Sequence, residues 1–592
     1  MRHIVGTYSQ LPFAASIEDY ETLLHKQLKP LLTMIYQNQN FKLLLRLGMN
    51  VFEYIENNHP EINMLINDLC RKNQVELLTS SCFDTVLSLV PVQDRSQTIE
   101  KTTTFLRKRF GKHANGLWCY CQIFTPAIIP MLNLCDLNYI VISSFNHSQN
   151  TSLISKPFYM DEMGKSTVVF PSDDRFSKIV SEYSKNPDSY SERIVNDFEK
   201  AAASASNITS IAMINLDQLK GCDKIPEIFS VLYNSFGNSC TLPSDFLREN
   251  NVKKSFYLPA GLYGRDFNPG KAVSINQIII DSPMLNRHFS LLNTYRDIVK
   301  SCKKNSDERK HLDCLLQKAS SASLYIPEFS DNPAILNSVN KNLCETESIL
   351  ESIKLLPEDI VMNSDRNKSK IMASKNLICY LDTVGAVISR FSIPAYHYDL
   401  CFNCGNGFFS DLIRNSSTSK TTDISQKKFE LTSLDKKSQD IFAKCPTVEI
   451  DRIPLNITKR FKLRQNTAIA DIGIENIGNT ALKNNVYECC FDLSLPFANS
   501  VALSGSETLS ETPVEGNRTI ISHKNLPLTF DIFTSDKAFF SRKDVFVQNE
   551  KQNSAQYRYT RIKLSKKINI DSMEELHFTI AIKIEKNTRR QS

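Results

Sequence analysis

The hydrophobic period of this chain changes once along its length, and that change limits the folds open to it. Up to about residue 285, helix-like and strand-like segments alternate. Ser16 and Asp19 form a capping-box pattern. Tyr20, Leu23, Leu24, Leu28 and Leu31 then recur at helical spacing. Phe41–Leu47 is a nearly continuous apolar run, as carried by a strand covered on both faces. Further segments predict a helix over Pro60–Lys72, a strand over Val75–Leu78 and a helix over Arg95–Phe110. Strands are predicted at Tyr139–Ile142, Val168–Phe170 and Ser210–Ile214. Repeated units of this length specify a parallel α/β barrel or a doubly wound sheet, with its chemistry at the carboxyl ends of the strands. Leu291, Leu292, Tyr295 and Val299 then share a helical face, as do Ile349, Ile353 and Leu356. From about residue 370 the period becomes two. Ile472 and Ile474 alternate with polar neighbours, and so do Phe578, Ile580, Ile582 and Ile584. That is the signature of half-buried antiparallel strands. Asn415–Lys437, rich in Ser, Thr, Lys and Asp, reads as a mobile loop.

Composition excludes several classes. With 41% apolar and 23% charged residues the chain folds rather than staying disordered. A net charge of +6 over 592 residues is small, and its basic runs are short, so no nucleic-acid partner is expected. No run of about 18 apolar residues occurs, so no membrane partner is expected. The N-terminus, broken by Gly6, Ser9, Gln10 and Pro12, reads as a first strand rather than a leader. Sixteen scattered cysteines suit reduced thiols and a cytoplasmic location. Seventeen glycines and a single tryptophan weigh against a crowded small-molecule site. His397, Cys401 and Cys404 have a spacing that zinc accepts. Only one such cluster occurs, in a region where cysteine packs as a small apolar residue, so no metal or cofactor is expected.

Five segments carry more specific information. Val75–Ile99 reads VELLTSSCFDTVLSLVPVQDRSQTI. Gly116–Pro126 reads GLWCYCQIFTP, and Ala212–Leu219 reads AMINLDQL. Tyr8-Ser9-Gln10-Leu11 stands at the N-terminus. TLPSDFL from Thr241 is followed by YLPAGLY, ending at Tyr263. In order and spacing these resemble glycoside hydrolase family 57, in its 4-α-glucanotransferase and α-amylase branch. Pro91, Asp94, Arg95, Trp118, Pro126, Gln10 and Tyr263 match its motifs. The glycines of its first motif are Thr79, Ser80 and Ser81 here, the Glu of that motif is Asp84, and its N-terminal His is Ser9. The nucleophile position falls on Cys121 and the following Arg on Gln122. The general acid/base position falls on Asn215, with Asp217 two residues on.

The resemblance implies a distorted (β/α)7-type barrel over 1–285, a helical segment over 286–365 packing on it, and a C-terminal β-sandwich over 366–592. It implies a retaining site acting on α-glucan, with α-glucan or malto-oligosaccharide as the partner. Retention needs two carboxyl groups about 5–5.5 Å apart. A thiol is a poor attacking group unless ionised, and a carboxamide cannot exchange a proton. The expectation is a catalytically degenerate relative that binds glucan or serves as a scaffold. The alternative is an active enzyme with relocated carboxylates, for which Asp84 and Asp217 are the candidates, with Asp173-Asp174 as a further pair. Ser9, Gln10, Asp84, Trp118, Asp217 and Tyr263 are the candidate substrate-binding residues. Trp118 and Tyr263 either stack a sugar or pack in the core.

Overall fold

The structure is a computed structural model. It describes residues 2–143, 156–205, 210–262, 275–325, 332–362, 367–434, 440–496, 498, 500–504, 507–524, 526–549 and 554–586. The chain divides into two compact units. The first comprises Met1–Ile278 with Ser320–Pro327, and the second Ile279–Ala319 with Glu328–Ser592.

The first unit is built on strands β1 (His3–Tyr8), β2 (Leu43–Arg46), β3 (Val75–Thr79), β4 (Gly116–Trp118), β5 (Ile123–Phe124), β6 (Tyr139–Ser143), β7 (Phe158–Glu162), β8 (Lys165–Ser172) and β9 (Ser210–Asn215). Seven of them run parallel in the order β8-β6-β4-β3-β2-β1-β9, and β7 adds antiparallel to β8. The Asp173 N–H donates to Ile211 O (2.8 Å), joining the end of β8 to β9. The barrel expected from the sequence is therefore present.

Side-chain alternation decides what fills it. Ile4, Leu44, Leu78, Trp118, Tyr139, Phe170 and Met213, one from each parallel strand, form one buried cluster. Their neighbours Val5, Leu43, Leu45, Leu77, Ala212 and Ile214 join the helices in another. Strands covered on both faces read as unbroken apolar runs, which is why Leu43–Arg46 is buried throughout. Gly116 is required by the interior: a Cβ there would lie 2.1 Å from the Tyr139 ring.

The first connection shows how local sequence sets the outer layer. Ser16 and Asp19 close the expected capping box. Helix Ile17–Glu21 passes into a π-helical stretch, Thr22–Leu28, and then helix Lys29–Gln37, with Pro30 in its first turn. Tyr20, Leu23, Leu24, Leu28 and Leu31 are buried as their spacing indicated.

In the second unit, helices Pro283–Ser301, Asp307–Ala319 and Pro333–Ser352 share a core with antiparallel strands, through Leu291, Tyr295, Leu316, Leu343, Ile378 and Tyr380. A buried polar network sits there. Arg390 pairs with Glu347 (2.6 Å) and Asp399 (2.8 Å). Glu347 also accepts from Tyr295, Tyr380 and Ser392. The remaining strands form the C-terminal β-sandwich. Strand Thr467–Asn476 pairs antiparallel with Glu575–Lys586, placing Ile472 opposite Phe578. Period-two burial along Ile453–Arg464 matches its sequence alternation. Asn415–Lys437, expected as a loop, instead contains strands Thr421–Asp423 and Glu430–Ser433. Cys401 and Cys404 are buried, with Sγ atoms against the carbonyls of Ile388 (3.6 Å) and Asp492 (2.8 Å). All sixteen cysteines are free thiols.

Candidate active site

The carboxyl ends of β1, β2, β3, β4 and β9 bring most of the expected residues into one network. The Ser9 hydroxyl donates to Asp217 Oδ1 (2.7 Å), and the Gln10 N–H donates to Oδ2. Tyr120 Oη donates to the Gln10 carbonyl (2.8 Å), and the Cys121 thiol lies 3.5 Å from Gln10 Oε1. Asn215 Oδ1 accepts from the Asp217 N–H (3.0 Å), so its carboxamide caps the turn after β9. Asp84 pairs with Arg46, whose guanidinium also donates to Ser80 Oγ (3.2 Å) and to the Ser9 carbonyl.

Arg46 is the member that motif reading missed. It is fully buried at the end of an otherwise apolar strand, Leu43-Leu44-Leu45-Arg46. A charge closing such a strand is the signal that could have found it, because a buried charge must be paired. Tyr120 was also missed; its ring lies 5.6 Å from the Arg46 guanidinium carbon.

Trp118 is 2% exposed, in the barrel interior, with its ring 4.4 Å from that of Tyr8. Its surroundings are those of core packing. Tyr263 lies outside the described residues. Asp173 caps helix Asp174–Lys185 and pairs with Arg175.

The turns after β3 and β4 share an unusual backbone. Phe83 and Asp84 have φ of 52° and 53°, and Cys121 and Gln122 have φ of 48° and 58°. A non-glycine residue in this left-handed region costs about 1–2 kcal/mol. Such strain persists only where surrounding contacts over-determine the backbone, and it clusters at functional sites. Here the Arg46–Asp84 pair and the Cys121–Gln10 contact hold the two turns.

Burial sets the acidity of the two carboxyls. It pushes Asp84 up, against the pull of Arg46. It pushes Asp217 up to about 6 from 3.8, helped by the charge of Asp84 and opposed by Gln10, Ser9 and Arg46. Between these two values the folded chain holds a proton that the unfolded chain has released. Stability therefore falls as pH rises from about 4 to about 6. Asp217→Asn mimics the protonated form at every pH. It is expected to match the parent near pH 4 and to exceed it at pH 8 by on the order of 1–2 kcal/mol, after allowance for solvent screening of a partly buried group. Denaturant melts of both proteins at the two pH values check this; identical pH dependence would refute it.

The pattern of one known family, glycosyl hydrolase family 57, fits the segment that carries β1–β9. Residues 1–217 match glycosyl hydrolase family 57. An α-amylase of Pyrococcus horikoshii is 25% identical over 181 residues, 30% of this chain and 28% of that protein. A 4-α-glucanotransferase of Thermococcus kodakarensis is 23% identical over 30% of this chain and 27% of its own. The matched sequence thus spans little more than a quarter of those relatives. In fold the likeness is far longer. The crystal structure of a 4-α-glucanotransferase from Thermococcus litoralis superposes with a TM-score of 0.80 at 14% identity, covering 98% of this chain and 99% of that one. The family 57 resemblance read from the sequence, and the barrel-and-sandwich fold it implies, are both found.

Proposed function

We propose that this chain is a catalytically degenerate family 57 relative whose barrel mouth binds α-glucan without cleaving it. One observation carries the reading: the two carboxylates found at the mouth among the described residues are already committed. Asp84, only 5% exposed, is pinned by Arg46. Both oxygens of Asp217 accept hydrogen bonds, from Ser9 and from the Gln10 backbone. A retaining reaction needs one carboxylate free to attack the anomeric carbon and a second to pass a proton to the leaving oxygen. The residues standing at those positions by resemblance are Cys121 and Asn215. The carboxamide has no proton to exchange, and a neutral thiol is a weak nucleophile. Gln10, Cys121 and Asn215 are partly exposed and offer carboxamide and thiol groups to sugar hydroxyls. Hydrogen bonds of this kind hold a sugar without transferring a proton.

A second reading has one observation in its favour. A carboxyl titrating near 6, as Asp217 does, is poised for general acid/base work at neutral pH. On that reading Asp217 protonates the leaving oxygen, and Asp84 leaves Arg46 to attack.

Chain-length analysis of maltoheptaose separates the two. No redistribution is expected on long incubation, while calorimetry detects maltoheptaose binding. Gln10→Ala, which keeps the backbone contacts to Asp217, weakens that binding about fivefold, the worth of one hydrogen bond. Longer and shorter products that disappear in Asp217→Asn would overturn the degenerate reading in favour of the second.

A further inference from the structure

Outside the barrel mouth, two successive connections of the first unit bring together two imidazoles and a carboxylate. Glu21 ends helix Ile17–Glu21, and His25 lies in the π-helical stretch that follows. His59 joins helix Met49–Asn58 to helix Pro60–Arg71. Glu21 Oε2 is 3.1 Å from His25 Nε2, and Glu21 Oε1 is 3.0 Å from His59 Nε2. One ligand atom from each of the three lies within 4.8 Å of the others, and the imidazoles meet edge to face. Among the described residues this is the one group of three metal-ligating side chains so arranged.

We propose that Glu21, His25 and His59 form a zinc site that clips the first two βα connections of the barrel together. Zinc bonds of about 2.0–2.1 Å in tetrahedral geometry put ligand atoms about 3.3 Å apart. The two observed separations fall within a few tenths of an ångström of that spacing. The side chains are 37%, 45% and 15% exposed for Glu21, His25 and His59. An ion can therefore enter from solvent, and water completes the coordination. Two imidazole nitrogens with one carboxylate favour zinc over calcium or magnesium, which take oxygen ligands.

The surroundings fit this role. Glu61 Oε1 faces His59 Nδ1 at 3.7 Å, leaving Nε2 directed at Glu21. At that separation Glu61 makes no hydrogen bond, but its charge favours the ring orientation that keeps Nε2 toward Glu21. Tyr54 Oη donates to Glu21 Oε1 and steadies the carboxylate. Lys29, 3.6 Å from Glu61 Oε1, balances that second carboxylate. π-helical turns are rare and recur at functional positions, and this one supplies His25.

The test uses full-length protein stripped with a chelator and titrated with zinc chloride. One tight zinc equivalent is expected, with a rise in thermal midpoint, because an ion bound only by the folded state stabilises it. His25→Ala and His59→Gln, both at partly exposed positions, should each weaken binding at least tenfold and abolish the thermal shift. Cobalt substitution guards against capture by a cysteine: the expected spectrum has ligand-field bands without thiolate charge transfer. Absence of a tight equivalent, an unchanged titration in both variants, or a thiolate band would each overturn the proposal.

Discussion

Arg390→Ala is expected to cost the chain about 3–5 kcal/mol of stability, as breaking a buried ion pair does. Arg390 is 1% exposed, and it faces two carboxylates that are equally buried, Glu347 and Asp399. Its guanidinium also donates to Asn340 Oδ1 (3.0 Å). Removing it strands two negative groups where water cannot reach them. The attraction of both raises the Arg390 pKa well above its usual range, against the cost of burial. Arg390→Lys keeps the charge but cannot reproduce the forked geometry, so it should fall between parent and alanine variant. Guanidinium-chloride melts read by circular dichroism measure all three. A loss below about 1 kcal/mol in the alanine variant would show that the carboxylates find other partners.

Arg46→Ala should be nearly as damaging, for the same reason in a different place. Asp84 would keep its burial and lose its counter-charge, again a loss of about 3–5 kcal/mol. The second variant separates charge from shape. Arg46→Met combined with Asp84→Leu removes both charges, and such paired replacements are often neutral or stabilising. The double variant should therefore recover much of what the single one loses. If the two losses simply add, the pair is not the reason for either residue.

How far these sites were legible depends on whether their signal is local. The helical face of Tyr20, Leu23, Leu24, Leu28 and Leu31 and the alternation of Phe578–Ile584 lie within one element each, and both were readable. Arg46–Asp84 spans 38 residues, and nothing local announces the pairing. The Glu21–His25 spacing is visible in the sequence, but His59 joins them only through the fold. Strands Thr421–Asp423 and Glu430–Ser433 were hidden by their composition. Their residues are mostly exposed, and a polar, lysine-containing stretch is how exposed strands avoid pairing with other chains. For Trp118 the sequence left sugar stacking and core packing both open, because the choice depends on its three-dimensional neighbours. Gly116, two residues earlier on β4, shows how tightly the interior is filled there.

Residues 320–327 return the chain to the first unit after it has begun the second. There Ser321 bridges Thr85, beside the turn that carries Asp84, and Ser323 hydrogen-bonds Tyr120. Neither unit is therefore one contiguous stretch of the chain. A single recombination point cannot transplant one without leaving part of it behind. A barrel copied as residues 1–278 alone would arrive without the strand bridge next to its own mouth.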